Sequence, residues 1–261
     1  MSVSQTKILK TPPRRPNVKR LQRYCGTLSP SADRSLYSEL KEVSLSRQIM
    51  QATVCTSRAS GFLDVTERVA GAAFLIAASP VIAASAATIA LLSRRSPFIA
   101  HQRVGEAGEL LWVWKLRTMW SRQPPEPREQ GWVEYIVAEP PRGPKNPSDL
   151  RVTSRFAKFM RRHSIDELPQ LWHVARGEMA LVGPRPLTRT EIVRYYGSRA
   201  DELLSVKPGI TGIWQTRGRS AIKFPERAVM DLEMINSRGA RTYISILLRT
   251  LPALFHGKGA W

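Results

Sequence analysis

From Val69 to Ser93 the chain carries no charged residue. That run exceeds the roughly 20 residues that cross a bilayer core of about 30 Å, so it predicts a membrane-embedded helix over 61–95. Ser79-Pro80 interrupts the run midway, and basic residues flank it on both sides, Arg68 before and Arg94 and Arg95 after. A proline removes one backbone donor, and positive charge at both ends suits a re-entrant hairpin whose ends share one membrane face.

Other periods follow. Leu110 to Leu116 is a short apolar run after the turn residues Gly105 and Gly108, and predicts a strand. Phe156, Phe159 and Met160, then Leu168, Leu171, Trp172 and Ala175, recur at helical spacing and predict two amphipathic helices that meet near His163 and Ser164. Near the C-terminus Ile244, Leu247, Leu248, Leu251 and Leu254 predict a helix with a broad apolar face, packed on the core or grazing a membrane. Residues 1–60 show little periodicity, scattered Lys and Arg and a T-P-P-R-R-P run, and predict a disordered basic segment, either a polybasic arm on anionic lipid or a solvated tail. No apolar stretch follows the first basic residues, so a signal peptide is not expected. Proline-rich residues 121–149 predict an irregular loop. The expected fold is α/β, mostly helical with a small sheet, with a catalytic domain over 96–261.

Charge narrows the function. Forty Lys and Arg against 21 Asp and Glu give 261 residues a net charge of +19, which calls for an anionic partner: nucleic acid, anionic lipid or a phosphorylated substrate. Cys25 and Cys55 have no metal-like spacing, and the four histidines, His101, His163, His173 and His256, have none either. Phosphate-loop, dinucleotide-fold and zinc-protease motifs do not occur.

Within this basic chain, Asp166 and Glu167 stand side by side, with Arg155, Lys158, Arg161 and Arg162 upstream and Arg176 and Arg185 downstream. Such surroundings favour anionic substrates and are expected to hold both acids ionised. A purely architectural reading is open: Ser164 and Glu167 have the spacing of a helix capping box, and Asp166 in a first turn complements the helix dipole. Pro169 is not something a cap requires. Further on, L-V-G-P-R-P and V-K-P-G-I-T-G-I-W-Q-T-R-G-R place Arg185, Lys207, Arg217 and Arg219 on glycine- and proline-fixed turns.

The segment S-I-D-E-L-P-Q-L-W-H-V-A-R-G-E-M-A-L-V-G-P-R-P resembles the catalytic segment of the bacterial sugar transferases, the monotopic polyprenyl-phosphate phosphoglycosyl transferases, and the resemblance runs from about Thr66 to the C-terminus. It implies that Asp166 is the nucleophile and that Glu167 works with Mg2+, and it offers Asp231 as a further metal ligand. It implies phosphate or nucleotide contacts for Lys115 and Arg117 in the W-K-L-R-T-M block, and for Arg161, Arg185, Lys207, Arg217 and Arg219. The family's membrane segment has a Ser-Pro break at the corresponding place and is re-entrant. The chain departs from the family pattern at Glu67, in place of the usual Asp after a basic pair, at His173 where Asn is common, at Glu178 where Asp is common, and at Met234 where Tyr is frequent.

The function this implies is transfer of a hexose 1-phosphate from a UDP-sugar to undecaprenyl phosphate with release of UMP, through a covalent aspartyl phosphosugar. The implied setting is the cytoplasmic face of the inner membrane, in exopolysaccharide, O-antigen or capsule synthesis, with a homodimer allowed and no nucleic acid expected. Two other readings stay open on charge alone: a membrane-tethered nucleic-acid-binding protein, and an inert scaffold for polysaccharide assembly.

Overall fold

A computed structural model describes residues 8–9, 59–120, 132–136, 154–218, 222–237 and 239–256. The expectations for most of 1–60, for the loop 121–149 and for Arg219 fall outside these residues. Within the segment expected to be disordered, Ile8–Leu9 form a two-residue strand, β1, an element its composition did not announce.

Helix α1, Ala59–Ser93, runs without interruption through Pro80, so the break into a hairpin expected at Ser79-Pro80 is not seen. Because Pro80 has no N–H, the carbonyl of Ile76 loses its helical partner, and the hydroxyl of Ser79 donates to that oxygen at 2.8 Å. The serine thereby satisfies the group the proline orphans, a requirement that is strict in lipid. Leu63, Val69, Phe74, Ile76, Val81 and Leu91 are exposed along this helix, as an apolar solvent permits and water does not. It is one helix among the described residues long and apolar enough to cross a membrane.

The strands β2, Phe98–Val104, β3, Leu110–Leu116, and β4, Val133–Ile136, complete a mixed four-stranded sheet of order β1-β4-β2-β3. Strands β2 and β3 form an antiparallel hairpin in the register Phe98 to Leu116 and Val104 to Leu110, closed by a 3-10 turn at Glu106–Gly108. The predicted strand over Leu110 to Leu116 is thus present, and it lies at the sheet edge.

Helix α2, Arg155–Arg162, is capped by Ser154, whose hydroxyl accepts from the Ala157 N–H at 3.0 Å. A 3-10 segment, Ile165–Gln170, follows, and then the short helix α3, Leu171–Ala175. Strand β5, Ala180–Val182, pairs in parallel with β6, Gly209–Thr211, in a second small sheet. The remaining helices are α4, Arg189–Tyr195; α5, Ala200–Leu204; α6, Ile213–Arg217; α7, Phe224–Asn236; and α8, Ala240–His256. The architecture is therefore mostly helical with small sheets, as expected.

Both ends of α1 are packed onto the globular part. Near its N-terminal end a Cβ on Gly71 would stand 2.7 Å from Cγ1 of Val174, so only glycine lets α1 approach α3 this closely. Toward its C-terminal end Ala86 and Ile89 join Leu116 and Met160 in one cluster, with Phe98, Phe156 and Ile165 around it. In α8, Ile246 is buried with Val182 and Met234, against Tyr243 and Leu247, while Ile244 and Leu248 are exposed. The apolar face read from the sequence thus divides between the core and the outside.

Candidate active site

The acid pair sits at a sharp change of chain direction. Ser164 has φ of 56°, in the left-handed region that a serine seldom occupies, and it separates α2 from the 3-10 segment. Its carbonyl accepts from the Glu167 N–H at 3.0 Å, whereas its side chain makes no cap. The capping box expected at Ser164 and Glu167 is therefore not formed: reversing the chain requires the left-handed backbone, and Glu167 is used elsewhere. The segment winds as a 3-10 helix with Pro169 inside it, so Asp166 and Glu167 are presented on a tight turn.

Glu167 Oε1 receives the ammonium of Lys115 at 2.6 Å. Lys115 arrives from the sheet-edge strand β3, which places the cation over the acid turn. Arg185 faces the same space from the G-P-R-P turn. These residues, with Gln170, His101 and Arg103, line a cleft of about 310 Å³ open to solvent. The two acids are inequivalent. Asp166, with no ion pair to any described residue, has its carboxyl pushed up to about 6, first by burial and then by the neighbouring Glu167 charge, against the opposing pull of Lys115 and Arg161. Basic surroundings therefore do not lower this carboxyl, because burial and a like charge outweigh the cations. Burial likewise lowers Lys115 from its ordinary value, opposed by Glu167.

The turn carrying Arg185 depends on two facing glycines. A Cβ on Gly209 would lie 2.1 Å from the Gly183 nitrogen, so the strands β5 and β6 meet at a distance no side chain allows. The Gly209 N–H donates to the Pro184 carbonyl at 2.8 Å and the Gly183 N–H to Thr211 at 2.9 Å, which fixes the turn from both sides. The Arg185 guanidinium also stacks on Trp214 with 6.0 Å to the ring centroid.

Of the cations picked from the sequence, Lys115 and Arg185 line the cleft, and Arg161 acts on Asp166 from the last turn of α2. Arg117 does not reach it. Its guanidinium is buried, donates to the Ser96 carbonyl at 2.7 Å and pairs with Glu134, so it ties β3 to β4. Lys207 pairs with Asp64 of α1. Arg217 is exposed at the end of α6 and is absent from the cleft lining. Sequence reasoning passed over His101, Arg103, Gln170 and Gln215 in the lining. Arg103 begins the R-V-G-E-A-G block and Gln170 follows Pro169, so both lay inside segments already singled out.

A divalent metal is a question of donors. Among the described residues no group of three or more His, Cys, Asp or Glu side chains converges. Asp231 is 1% exposed, accepts from the Tyr196 hydroxyl at 2.8 Å, and does not line the cleft. Burial pushes its carboxyl up to about 7, against hydrogen bonding from Tyr196. Asp166 and Glu167 supply two adjacent hard oxygen donors, which fits Mg2+, an ion held by one or two carboxylates plus substrate phosphates.

The sites where the chain departs from the family pattern are joined. His173 Nδ1 lies 2.7 Å from Glu178 Oε2, and Glu178 Oε1 receives the Arg176 guanidinium at 2.9 Å. Glu67 accepts from the Leu181 N–H at 3.1 Å and from the Tyr243 hydroxyl, so this membrane-helix acid reaches both β5 and α8.

Comparison with known proteins places these features in context. The family model described as bacterial sugar transferase matches residues 59–257. The chain is 36% identical over 167 residues to a UDP-galactose-lipid carrier transferase of Erwinia amylovora, covering 64% of this chain and 35% of that protein. It is 34% identical over 205 residues to the UDP-glucose:undecaprenyl-phosphate glucose-1-phosphate transferase of Caulobacter vibrioides, covering 76% of this chain and 71% of that one. It is 31% identical over 188 residues to the exopolysaccharide production protein ExoY of Rhizobium meliloti, covering 72% and 82%. The match spans about a third of the length of the Erwinia protein and of a Salmonella typhimurium galactose phosphotransferase.

Proposed function

Because the chain belongs to the bacterial sugar transferase family, we propose that it moves a hexose 1-phosphate from a UDP-sugar to undecaprenyl phosphate and releases UMP, as an initiating step of exopolysaccharide, O-antigen or capsule synthesis. The observation that carries this reading is the inequivalence of the dyad. Glu167 is engaged by Lys115 at 2.6 Å, and Asp166, with no ion pair among the described residues, stands on a strained turn beside a cationic cleft.

In this mechanism a carboxylate oxygen of Asp166 attacks the β-phosphorus of the UDP-sugar. A P–O bond forms to Asp166, the bond from that phosphorus to the bridging oxygen breaks, and UMP leaves with the electron pair. An oxygen of the lipid phosphate then attacks the same phosphorus, and the aspartyl bond breaks to restore the carboxylate. Lys115 and Arg185 meet the charge of the diphosphate and hold it in line. Mg2+, when bound, supplies further neutralisation of diphosphate charge, with Asp166 and Glu167 as its protein donors.

The membrane segment is read as re-entrant, with the catalytic domain on the cytoplasmic face of the inner membrane. Buried positions on α1 fall at Gly71 and again from Ser85 onward, and both groups touch the same globular part. The helix between them, residues 72–84, is about 20 Å long at 1.5 Å per residue. That is short of the hydrocarbon thickness of about 30 Å. A straight crossing would have to pull one packed end away from the domain.

Incubating membranes that contain the protein with a panel of UDP-sugars and undecaprenyl phosphate tests the activity. UMP release and a lipid-linked product with one sugar are expected; lack of turnover with every UDP-hexose would reject the reading.

A further inference from the structure

Two side chains reach β3 from outside the sheet, one from the dyad turn and one from α3. The first is Glu167, in its ion pair with Lys115. The second meets the strand one residue back, where the Trp114 N–H donates to His173 Nε2 at 3.3 Å. Strand β3 is a sheet edge, so its outward N–H groups have no strand to pair with, and His173 takes one of them.

The tautomer that makes this bond is fixed from behind. The Glu178 carboxylate can only accept, so the proton of the neutral ring lies on Nδ1, 2.7 Å away, and Nε2 is left as acceptor. Arg176 secures the other oxygen of Glu178 at 2.9 Å. The Arg176 carbonyl accepts from Arg68 of α1 at 2.7 Å, so the same short segment also touches the membrane helix. His173 is 3% exposed, its ring stands edge-on to that of Trp114, and burial lowers its pKa, which keeps the ring neutral.

We propose that His173, oriented by Glu178, is a positioning residue that holds strand β3 in place so that Lys115 meets Glu167. It acts through the Trp114 backbone and touches no substrate. The inference rests on the proposed function only for its effect on turnover; the placement of Lys115 can be read without any substrate.

The test is acetic anhydride labelling of the full-length protein in detergent at one fixed pH, with the extent at Lys115 read by mass spectrometry against the other lysines as a measure of its exposure. His173→Phe removes the acceptor and keeps a ring in place. His173→Gln puts an amide oxygen near the position of Nε2. In H173F, Lys115 is expected to move into water and its labelling to rise toward that of an exposed lysine, with turnover down roughly 10- to 100-fold, while H173Q keeps the wild-type extent. Unchanged labelling of Lys115 in folded H173F overturns the proposal. If H173F does not fold, Glu178→Ala, which releases the tautomer, is compared with H173Q: a rise in E178A alone supports the proposal, and any other pattern overturns it. A rise in H173F from a wild type that turns over no UDP-sugar would uphold the positioning role and reject the proposed activity.

Discussion

Lys115 Nζ and Glu167 Oε1 stand 2.6 Å apart, and this contact distinguishes two adjacent carboxylates by their partners. In the proposed mechanism the acid that holds the lysine stays in place, and Asp166, which makes no ion pair with a described residue, is the one that attacks. Lys115→Met is therefore expected to lower the turnover of the folded fraction by on the order of 10²- to 10³-fold, because removing a donor aimed at developing charge costs about 2.7–4 kcal/mol in the transition state. Steady-state kinetics together with a thermal melt decide this.

Asp166 sets an acid limit on the reaction. Only its carboxylate attacks, and burial with the Glu167 charge raises it to about 6, so kcat/KM for the UDP-sugar should fall about tenfold per pH unit below that value. The stability consequence has the opposite sense. The folded protein binds this proton more tightly than the unfolded chain, whose carboxyl titrates near 3.8, so stability is lost as pH rises between about 4 and 6. Asp166→Asn should thus melt higher than wild type at pH 7.5 and equal to it near pH 4, with no turnover at either.

Arg117, just past the end of β3, and Glu134 of β4 form a buried pair across the intervening strand β2. Truncating one partner leaves an uncompensated charge, so Arg117→Ala is expected to cost about 3–5 kcal/mol of stability. The KM of the folded fraction for UDP-sugar should stay at its wild-type value. Urea unfolding and kinetics on the same preparation separate the two effects, and a raised KM at unchanged stability would return Arg117 to the substrate site.

Gly209→Ala tests the glycine contact behind Arg185. A methyl group there collides with the Gly183 backbone, which cannot rotate aside, so β6 must shift. Loss of at least about 1–3 kcal/mol is expected, with a raised KM as Arg185 moves. A melting curve and a KM for UDP-sugar read both.

What the sequence disclosed was what period and residue type determine locally. The uncharged run gave α1, the apolar run gave β3 with its ends at Leu110 and Leu116, and the adjacency of Asp166 and Glu167 located the acid turn. Partners distant in the chain were hidden. Nothing near Arg117 announces Glu134, and nothing near Lys207 announces Asp64, so cations that look alike in sequence divide into substrate-facing and architectural ones only when the chain folds. Ser164 misled for a related reason: Ser and Glu at capping spacing fit a helix start, but the left-handed backbone at Ser164 depends on how α2 and α3 are held by α1. The raised carboxyl of Asp166 is a burial effect, and one-dimensional charge counting sees only the cations.

Topology has its own check. In a protein whose Cys25 and Cys55 are replaced, single cysteines at the exposed positions Val65 and Arg94 should both react only with reagents that reach the cytoplasm. Reaction of one of them with a reagent confined to the periplasm would establish a straight crossing. Pro80→Leu restores the missing backbone donor and should favour that crossing.

The central claim is that Asp166 carries the phosphosugar. Protein mixed with UDP-sugar and Mg2+ in the absence of lipid acceptor, quenched and digested for mass spectrometry, should show a hexose-phosphate adduct on Asp166, absent in Asp166→Asn and reduced in Glu167→Gln. An adduct on Glu167, an adduct that persists in Asp166→Asn, or an active wild-type enzyme that never shows one would contradict the assignment, the last pointing to direct displacement by the lipid phosphate.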